Sequence, residues 1–91
     1  MTDFESRFAA LHQRFLERTE GERRLLVDKP DREAMEKVAH QLSGSAGMFG
    51  YHELSEAAAA LEDALRGAGS DEEVERLRAA LTAAIEAVQA R

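Results

Sequence analysis

Residues 31–50 read DREAMEKVAHQLSGSAGMFG, and this stretch decides the fold. Its apolar side chains recur every three or four residues, which is the spacing of one face of an α-helix. They are Met35, Val38, Leu42, Ala46 and Phe49. Gly50 is expected to end this helix, because glycine favours the backbone conformation found after helix C-termini. Pro30 fits a first helical turn, with Asp28 or Lys29 as the predicted cap.

The same spacing predicts three more helices along the chain. The apolar positions are Phe4, Phe8, Leu11 and Phe15 in the first, Leu54, Ala58, Leu61 and Leu65 in the third, and Val74, Leu77, Leu81, Ile85 and Val88 in the fourth. Gly67 and Gly69 are expected to end the third helix. Ser70, three residues before Glu73, predicts an N-terminal capping box for the fourth.

The first helix has two alternative descriptions. Thr19 and Glu22 also have the spacing of a capping box, which predicts a kink or a restart near Gly21. The turns that follow would carry Leu25, Leu26 and Val27. Because the apolar stripe roughly keeps its phase, a single continuous helix to about Val27 is the alternative.

Short connections make consecutive helices antiparallel neighbours. We therefore predict an all-α fold, an antiparallel up-down four-helix bundle with an extra short N-terminal helix as a variant. Residues 1–91 are expected to form a single domain, since a chain of 91 residues has the size of one. The expected oligomeric state is a monomer.

Composition excludes several classes of function. The net charge of −6, with glutamates interleaved among the arginines, argues against nucleic-acid binding. The absence of cysteine excludes disulfides and thiolate metal sites. The first residues do not resemble a signal peptide, and no apolar run approaches the length that spans a bilayer. We expect a cytoplasmic protein that does not associate with membranes.

His40 is the candidate reactive residue of this sequence. On a helical wheel it lies almost opposite the apolar face, and Gly44 and Gly47 follow it on nearly the same line. Each glycine costs roughly 0.5–1 kcal/mol inside a helix, so their missing side chains are expected to serve a purpose. An exposed imidazole is mostly neutral at pH 7 and is a competent nucleophile. The alternative, an ordinary surface histidine, stays open at this point.

The segment from Ala39 to Gly50 resembles the motif of histidine-containing phosphotransfer (HPt) domains. That motif has a histidine, a leucine two residues later, a glycine four residues after the histidine, and then small and apolar residues. His40, Leu42 and Gly44 stand at these positions, and the pair Leu61-Glu62 is similar to the end of the family's motif. The motif covers about residues 39–62, and the four-helix pattern fits the whole chain.

The resemblance implies that His40 accepts a phosphoryl group and that Gly44 leaves it accessible. Gln41 and Ser43 would also neighbour the phosphate. Ser43 is a departure, since the family commonly has lysine there, and a serine can offer only a hydrogen bond. We hypothesise that Lys37, three residues before His40, supplies the missing charge.

The resemblance also implies a phosphorelay in which this chain passes a phosphoryl group between the aspartates of response-regulator receiver domains. A hybrid sensor kinase would be a further partner. Docking is expected to use Gly44, Gly47 and Met48. The chain would be a phosphoryl carrier without kinase activity, with no metal or cofactor of its own, and Mg²⁺ would sit on the receiver domain.

The sequence has two alternative interpretations of function. The first is a helical partner-binding module with a vestigial histidine. The second is a small all-α enzyme, which is disfavoured because the predicted core is almost wholly apolar. His12 is interpreted as packed or exposed rather than chemical, His52 as a surface residue, and Tyr51 as packing at the end of the bundle.

Overall fold

The computed structural model describes residues 3–67 and 69–91, which form four α-helices. They are α1 (Asp3–Val27), α2 (Arg32–Met48), α3 (His52–Arg66) and α4 (Asp71–Gln89). Contacts join α1 to α2, α2 to α3, α3 to α4, and α4 back to α1, which closes an up-down bundle. The predicted all-α fold is confirmed. None of the described helices is long and apolar enough to cross a membrane.

The core lies between the four predicted stripes. The large apolar side chains that are almost completely shielded from solvent are Leu26, Leu42, Leu54, Leu61, Leu81 and Ile85. Burial of such a side chain contributes about 1.5–3 kcal/mol, so these six positions are the main apolar stabilisation of the bundle. The stripes predicted for α2, α3 and α4 are confirmed, since their members are buried or pack against the buried cluster.

The predicted kink near Gly21 is wrong, and the described chain has no additional N-terminal helix. α1 runs without interruption for 25 residues. Thr19 is not a cap but a buried residue, whose Oγ1 donates to Leu16 O at 2.8 Å and accepts from Gln89 Nε2 at 3.0 Å. Packing against α4 therefore keeps this part of α1 helical, and the alternative of one continuous helix is confirmed.

The apolar stripe at the start of α1 is only partly in the core. Phe15 is buried, but Phe4, Phe8 and Leu11 are exposed by 75%, 44% and 51%. Helix α4 ends beside the middle of α1, where Gln89 contacts Leu16 and Thr19. The first turns of α1 therefore extend past the end of α4, which leaves Phe4 mostly exposed and Phe8 and Leu11 only partly covered.

The predicted cap of α2 is also wrong. Asp31 is the cap, because its Oδ1 accepts a hydrogen bond from Ala34 N at 2.8 Å and α2 begins only after it. At the other end Gly50 adopts a left-handed φ of 81°. Tyr51 N then donates to Ala46 O, and Gly50 N donates to Gly47 O. This Schellman motif ends α2 where the sequence predicts and directs the chain into α3.

The last connection agrees with its prediction. Gly67 follows the final residue of α3, and its N–H donates to Asp63 O at 3.0 Å. Ser70 caps α4 by accepting from Glu73 N through its side chain at 3.1 Å. Because this connection is short, α4 returns antiparallel to α3.

Candidate functional site

His40 projects from the solvent-facing side of α2. Its side chain is 66% exposed, whereas its neighbours Ala39 and Leu42 are completely buried. Helical periodicity explains this difference, since the apolar stripe turns α2 so that position 40 points away from the core. The imidazole is therefore open to a second molecule.

One side of the imidazole is held by a carboxylate from the next helix. His40 Nδ1 lies 2.6 Å from Glu62 Oε2. Glu62 is 8% exposed and belongs to the buried face of α3. A carboxylate accepts hydrogen bonds, so Nδ1 carries the hydrogen and the lone pair of the neutral ring is on Nε2. Nε2 makes no hydrogen bond within the part of the chain that the structure describes.

Glu62 is in turn fixed by Arg66, one turn further along α3. Arg66 Nη2 lies 3.0 Å from Glu62 Oε2, and Arg66 Nε donates to Glu36 Oε1 of α2 at 2.9 Å. The hydrogen bond to Glu36, with the nearby charge of Glu62, raises the pKa of the Arg66 guanidinium above its usual value. The four side chains form one chain of contacts, Glu36–Arg66–Glu62–His40, that joins α2 to α3.

The two glycines after His40 leave open space on the surface of α2. A methyl group built on Gly44 would meet nothing within 4 Å, and one built on Gly47 would make an ordinary contact of 3.5 Å with Ser55 Oγ. Packing within this chain therefore does not require glycine at either position. The surface of α2 beside His40 is therefore free of side chains at these two positions.

The residues predicted to neighbour a phosphate lie around His40 in different ways. Lys37 lines the same surface cavity as His40, of about 240 Å³, and its Nζ is 3.7 Å from Glu33 Oε1. Gln41 is exposed beside the histidine. Ser43 is half-buried, and its backbone carbonyl accepts from Ser55 Oγ at 2.7 Å. Lys37 is thus the one charged member of the predicted set.

Met48, near the end of α2, borders a cleft between α1 and α2. It is 70% exposed and, with Leu11, lines this cleft of about 290 Å³. Arg14 and Arg18 lie on the α1 side of the cleft. The cleft thus combines apolar side chains with a basic edge on a chain whose net charge is −6.

A family model described as Hpt domain matches residues 3–91, nearly the whole chain. The chain belongs to the Hpt domain family. This match confirms the resemblance drawn from the motif around His40. Hpt domains act in histidine phosphotransfer within two-component phosphorelays, where they interact with receiver domains and kinases. No curated protein and no solved structure matches this chain significantly.

The other two histidines of this Hpt domain lie outside the site. His12 is half-buried in an aromatic cluster, with its Nε2 2.7 Å from the Tyr51 hydroxyl and its ring 5.3 Å from that of Phe49. His52 begins α3 and is exposed. Among the described residues, no group of three or more His, Asp or Glu side chains could hold a metal ion.

The residues that sequence reasoning missed are Glu62 as a partner of His40, and Arg66. Glu62 appears in the motif only as part of the Leu61-Glu62 pair, which gives no indication of what it contacts. Glu62 and Arg66 are spaced i, i+4, which predicts an ion pair on α3. That spacing alone cannot show that the pair faces His40, since this depends on the register of α3 against α2.

Proposed function

We propose that this Hpt domain carries a phosphoryl group on His40 Nε2 and relays it between receiver-domain aspartates in the cytoplasm. The observation that supports this most directly is the geometry of His40. Its Nδ1 is held by Glu62, its Nε2 has no hydrogen-bond partner among the described residues, and the glycines beside it leave room for a partner.

The transfer step follows from this tautomer. The Nε2 lone pair attacks the phosphorus of a receiver's phosphoaspartate, in line with the bond that breaks. An N–P bond forms, the P–O bond to the aspartate breaks, and its electron pair leaves with the carboxylate oxygen. The Nδ1 hydrogen stays on the ring and donates to Glu62, so no proton has to move. The product imidazolium then lies beside the Glu62 carboxylate, and the reverse step follows the same path.

The work is divided between the two proteins. The receiver domain would supply Mg²⁺ and most of the charge stabilisation, while this domain supplies a nucleophile held in position. A hybrid sensor kinase would be the source of the phosphoryl group. We expect no kinase activity in this chain, because it has no glycine loop of the kind that binds nucleotide phosphates.

Lys37 is proposed as a cation for the phosphorylated state, since it lines the same cavity as His40. Its present partner, Glu33, is 83% exposed and holds it only weakly. Gln41 and Ser43 would offer hydrogen-bonding side chains, and Gly44 would leave space for the phosphoryl oxygens.

The receiver domain would dock on the face that contains Gly44, Gly47 and Met48. The cleft between α1 and α2 begins at Met48 and is lined by Leu11, so the apolar part of this surface extends onto α1. We propose that an apolar side chain of the receiver enters this cleft and that acidic residues beside it meet Arg14 and Arg18. Such contacts are expected to be transient and modest in area.

The experiment that tests the function is phosphoryl transfer from a panel of phosphorylated receiver domains, with Mg²⁺, to wild-type protein and to His40→Gln. Acid-labile, base-stable label on the wild type alone would support the proposal. If no receiver domain labels the wild type, the proposal fails and the partner-binding bundle with a vestigial histidine takes its place.

A further inference from the structure

Arg66 is the most constrained cation near His40. Its guanidinium contacts two carboxylates in different environments, Glu62 through Nη2 and Glu36 through Nε. The Glu62 side chain is only 11% exposed and also holds His40 Nδ1, whereas that of Glu36 is 37% exposed. The Nη2 group is therefore anchored in a sheltered contact, whereas the Nε–H, on the same edge of the guanidinium, is bound to a carboxylate that water can replace.

Phosphorylation of His40 would change the charge balance at this site. The cavity beside the imidazole is lined by one further residue pair, Glu33 and Lys37, in addition to Glu36, His40 and Arg66. A phosphoryl group brings about −1.5 to −2 charges and three acceptor oxygens. With Glu33, Glu36 and Glu62 already close, the new dianion requires positive charge, and arginine can bind its oxygens through two parallel donors.

We propose that Arg66 exchanges Glu36 for the phosphoryl group when His40 is phosphorylated, while it keeps its contact with Glu62. This rests on the proposed function of His40. The exchange makes and breaks only hydrogen bonds and ion pairs. The Arg66 side chain is 57% exposed, so it has room to turn from Glu36 towards the imidazole. Arg66 is then a phosphoryl-binding residue, and Glu36 is its competitor.

The exchange has a consequence that a purely structural ion pair would not have. Arg66→Gln and Glu36→Gln break the same contact between α2 and α3. If that contact only held the helices together, both substitutions would change phosphorylation in the same direction. If Arg66 moves to the phosphoryl group, Arg66→Gln removes a ligand of the phosphorylated state, whereas Glu36→Gln releases that ligand.

The test is the fraction of His40 that is phosphorylated at equilibrium with a phosphorylated receiver domain and Mg²⁺. Arg66→Gln should lower the equilibrium constant for transfer about three- to tenfold, the range expected for an exposed charge-assisted contact. Arg66→Lys should restore part of the loss. Glu36→Gln should also raise the constant. In a Lys37→Ala background, where Glu33 has no lysine to release, this gain should exceed that of the control Glu33→Gln, which removes a charge from the same cavity.

The double variant Arg66→Gln, Glu36→Gln separates competition from simple repulsion. In this background the substitution of Glu36 should raise the constant no more than Glu33→Gln does. The exchange is overturned if both single variants shift the equilibrium in the same direction, or if the full gain from Glu36→Gln persists without Arg66.

An NMR measurement on the wild-type protein tests the exchange without depending on whether a variant folds. The NMR resonance of Arg66 Nε–H should shift on phosphorylation of His40, because its partner changes. Arg78 is a matched control, since its Nε donates to Glu75 at the same distance of 2.9 Å, on α4. A phosphorylated wild type with an unchanged Arg66 resonance overturns the exchange alone, whereas a wild type that accepts no phosphoryl group overturns the proposed function itself.

Discussion

Glu62 Oε2 lies 2.6 Å from His40 Nδ1, and the two residues belong to different helices with very different exposure. The side chain of Glu62 is 11% exposed and that of His40 is 66% exposed. The carboxylate is therefore held by the packing of α3, and it holds the exposed ring in one orientation and one tautomer. A nucleophile that is oriented before its partner arrives loses less entropy on reaching the reactive geometry.

Removal of the Glu62 carboxylate should slow phosphoryl transfer. Glu62→Ala leaves the ring free to rotate and to change tautomer. We expect the rate constant for transfer from a phosphorylated receiver to fall about tenfold or more, by analogy with carboxylates that orient metal-binding histidines. Glu62→Gln keeps an oxygen that can accept from Nδ1, so it should lose less. Rapid-quench measurement of phosphohistidine formation gives both rates.

Glu56→Gln is the matched control for these variants, because Glu56 is an exposed glutamate on the same helix. It should transfer at the wild-type rate. If Glu62→Ala also transfers at that rate, the ring does not need its partner, and the role assigned to Glu62 is wrong.

The substitution Gly44→Ala should raise the stability of the protein and slow phosphoryl transfer. Nothing lies within 4 Å of a methyl group built at this position, so Gly44→Ala gains helix propensity without a clash. The free energy of unfolding should rise by about 0.5–1 kcal/mol. The same methyl group would stand one helical turn from His40, where the receiver approaches, and we expect transfer to slow. Urea unfolding and transfer kinetics on the same sample measure both effects.

Gly21→Ala provides the comparison. Gly21 is also inside a helix, and a methyl group there would likewise meet nothing within 4 Å. This variant should gain similar stability and transfer at the wild-type rate. Equal slowing in both variants would mean that helix rigidity, rather than access to His40, explains the effect of Gly44→Ala.

Most of the fold could be predicted from the sequence because three of its helices have a clean apolar period and clear ends. Gly50 ends α2 and Ser70 caps α4, as their residue types suggest. The errors fall on α1 and the turn after it. Thr19 and Glu22 have capping-box spacing, but contacts with distant parts of the chain, such as Gln89 with Thr19, decide their structure. Local patterns along α1 cannot contain that information. The error in the turn has a different cause, because the Asp31 cap is a local contact with Ala34, whereas Pro30 favours an earlier start of α2.

Only the part of the candidate site that lies on α2 could be predicted from the sequence. His40, Gly44 and Gly47 lie on one face of α2, and helical geometry alone brings them together. Glu62 and Arg66 come from α3, and their contact with His40 and Glu36 depends on the register between two helices. A sequence fixes that register through packing of the whole core, which periodicity along one helix does not describe.

Glu22 should make the protein less stable as the pH rises. It is 8% exposed, its Oε1 makes no hydrogen bond among the described residues, and its ion pair with Arg18 is 3.8 Å long. Burial raises the pKa of this carboxyl above 4.5, although Arg18 opposes the shift. Ionisation is thus easier in the unfolded chain, so this contribution to stability is present at low pH and is lost as the pH rises through the two pKa values.

Glu22→Gln removes the ionisable group and with it this pH dependence. We expect it to increase the free energy of unfolding at pH 7 by about 1 kcal/mol, the scale of an unsatisfied buried polar group. The difference from wild type should shrink below pH 4.5, the ordinary pKa. Glu17→Gln, at an exposed position of α1, should give no such pH-dependent difference. A Glu22→Gln curve parallel to that of wild type across the pH range would contradict the prediction.

The cleft between α1 and α2 should determine the affinity for the receiver domain and leave the chemistry of His40 unchanged. Leu11 and Met48 line this cleft and are 51% and 70% exposed, so they contribute little to the core. Leu11→Gln and Met48→Gln should raise the KM for the phosphorylated receiver about fivefold each, which corresponds to roughly 1 kcal/mol of binding. The maximal rate of transfer at saturating receiver should stay near that of wild type.

Leu25→Gln makes the same chemical change on the same helix outside the cleft. Leu25 is 40% exposed and lies about 21 Å along α1 from Leu11, by the rise of 1.5 Å per residue. If the receiver covers the cleft, only the substitutions at Leu11 and Met48 raise KM, because only their apolar surface is removed from water on docking. Equal changes at all three positions would show that loss of general surface hydrophobicity, rather than a defined docking site, weakens binding.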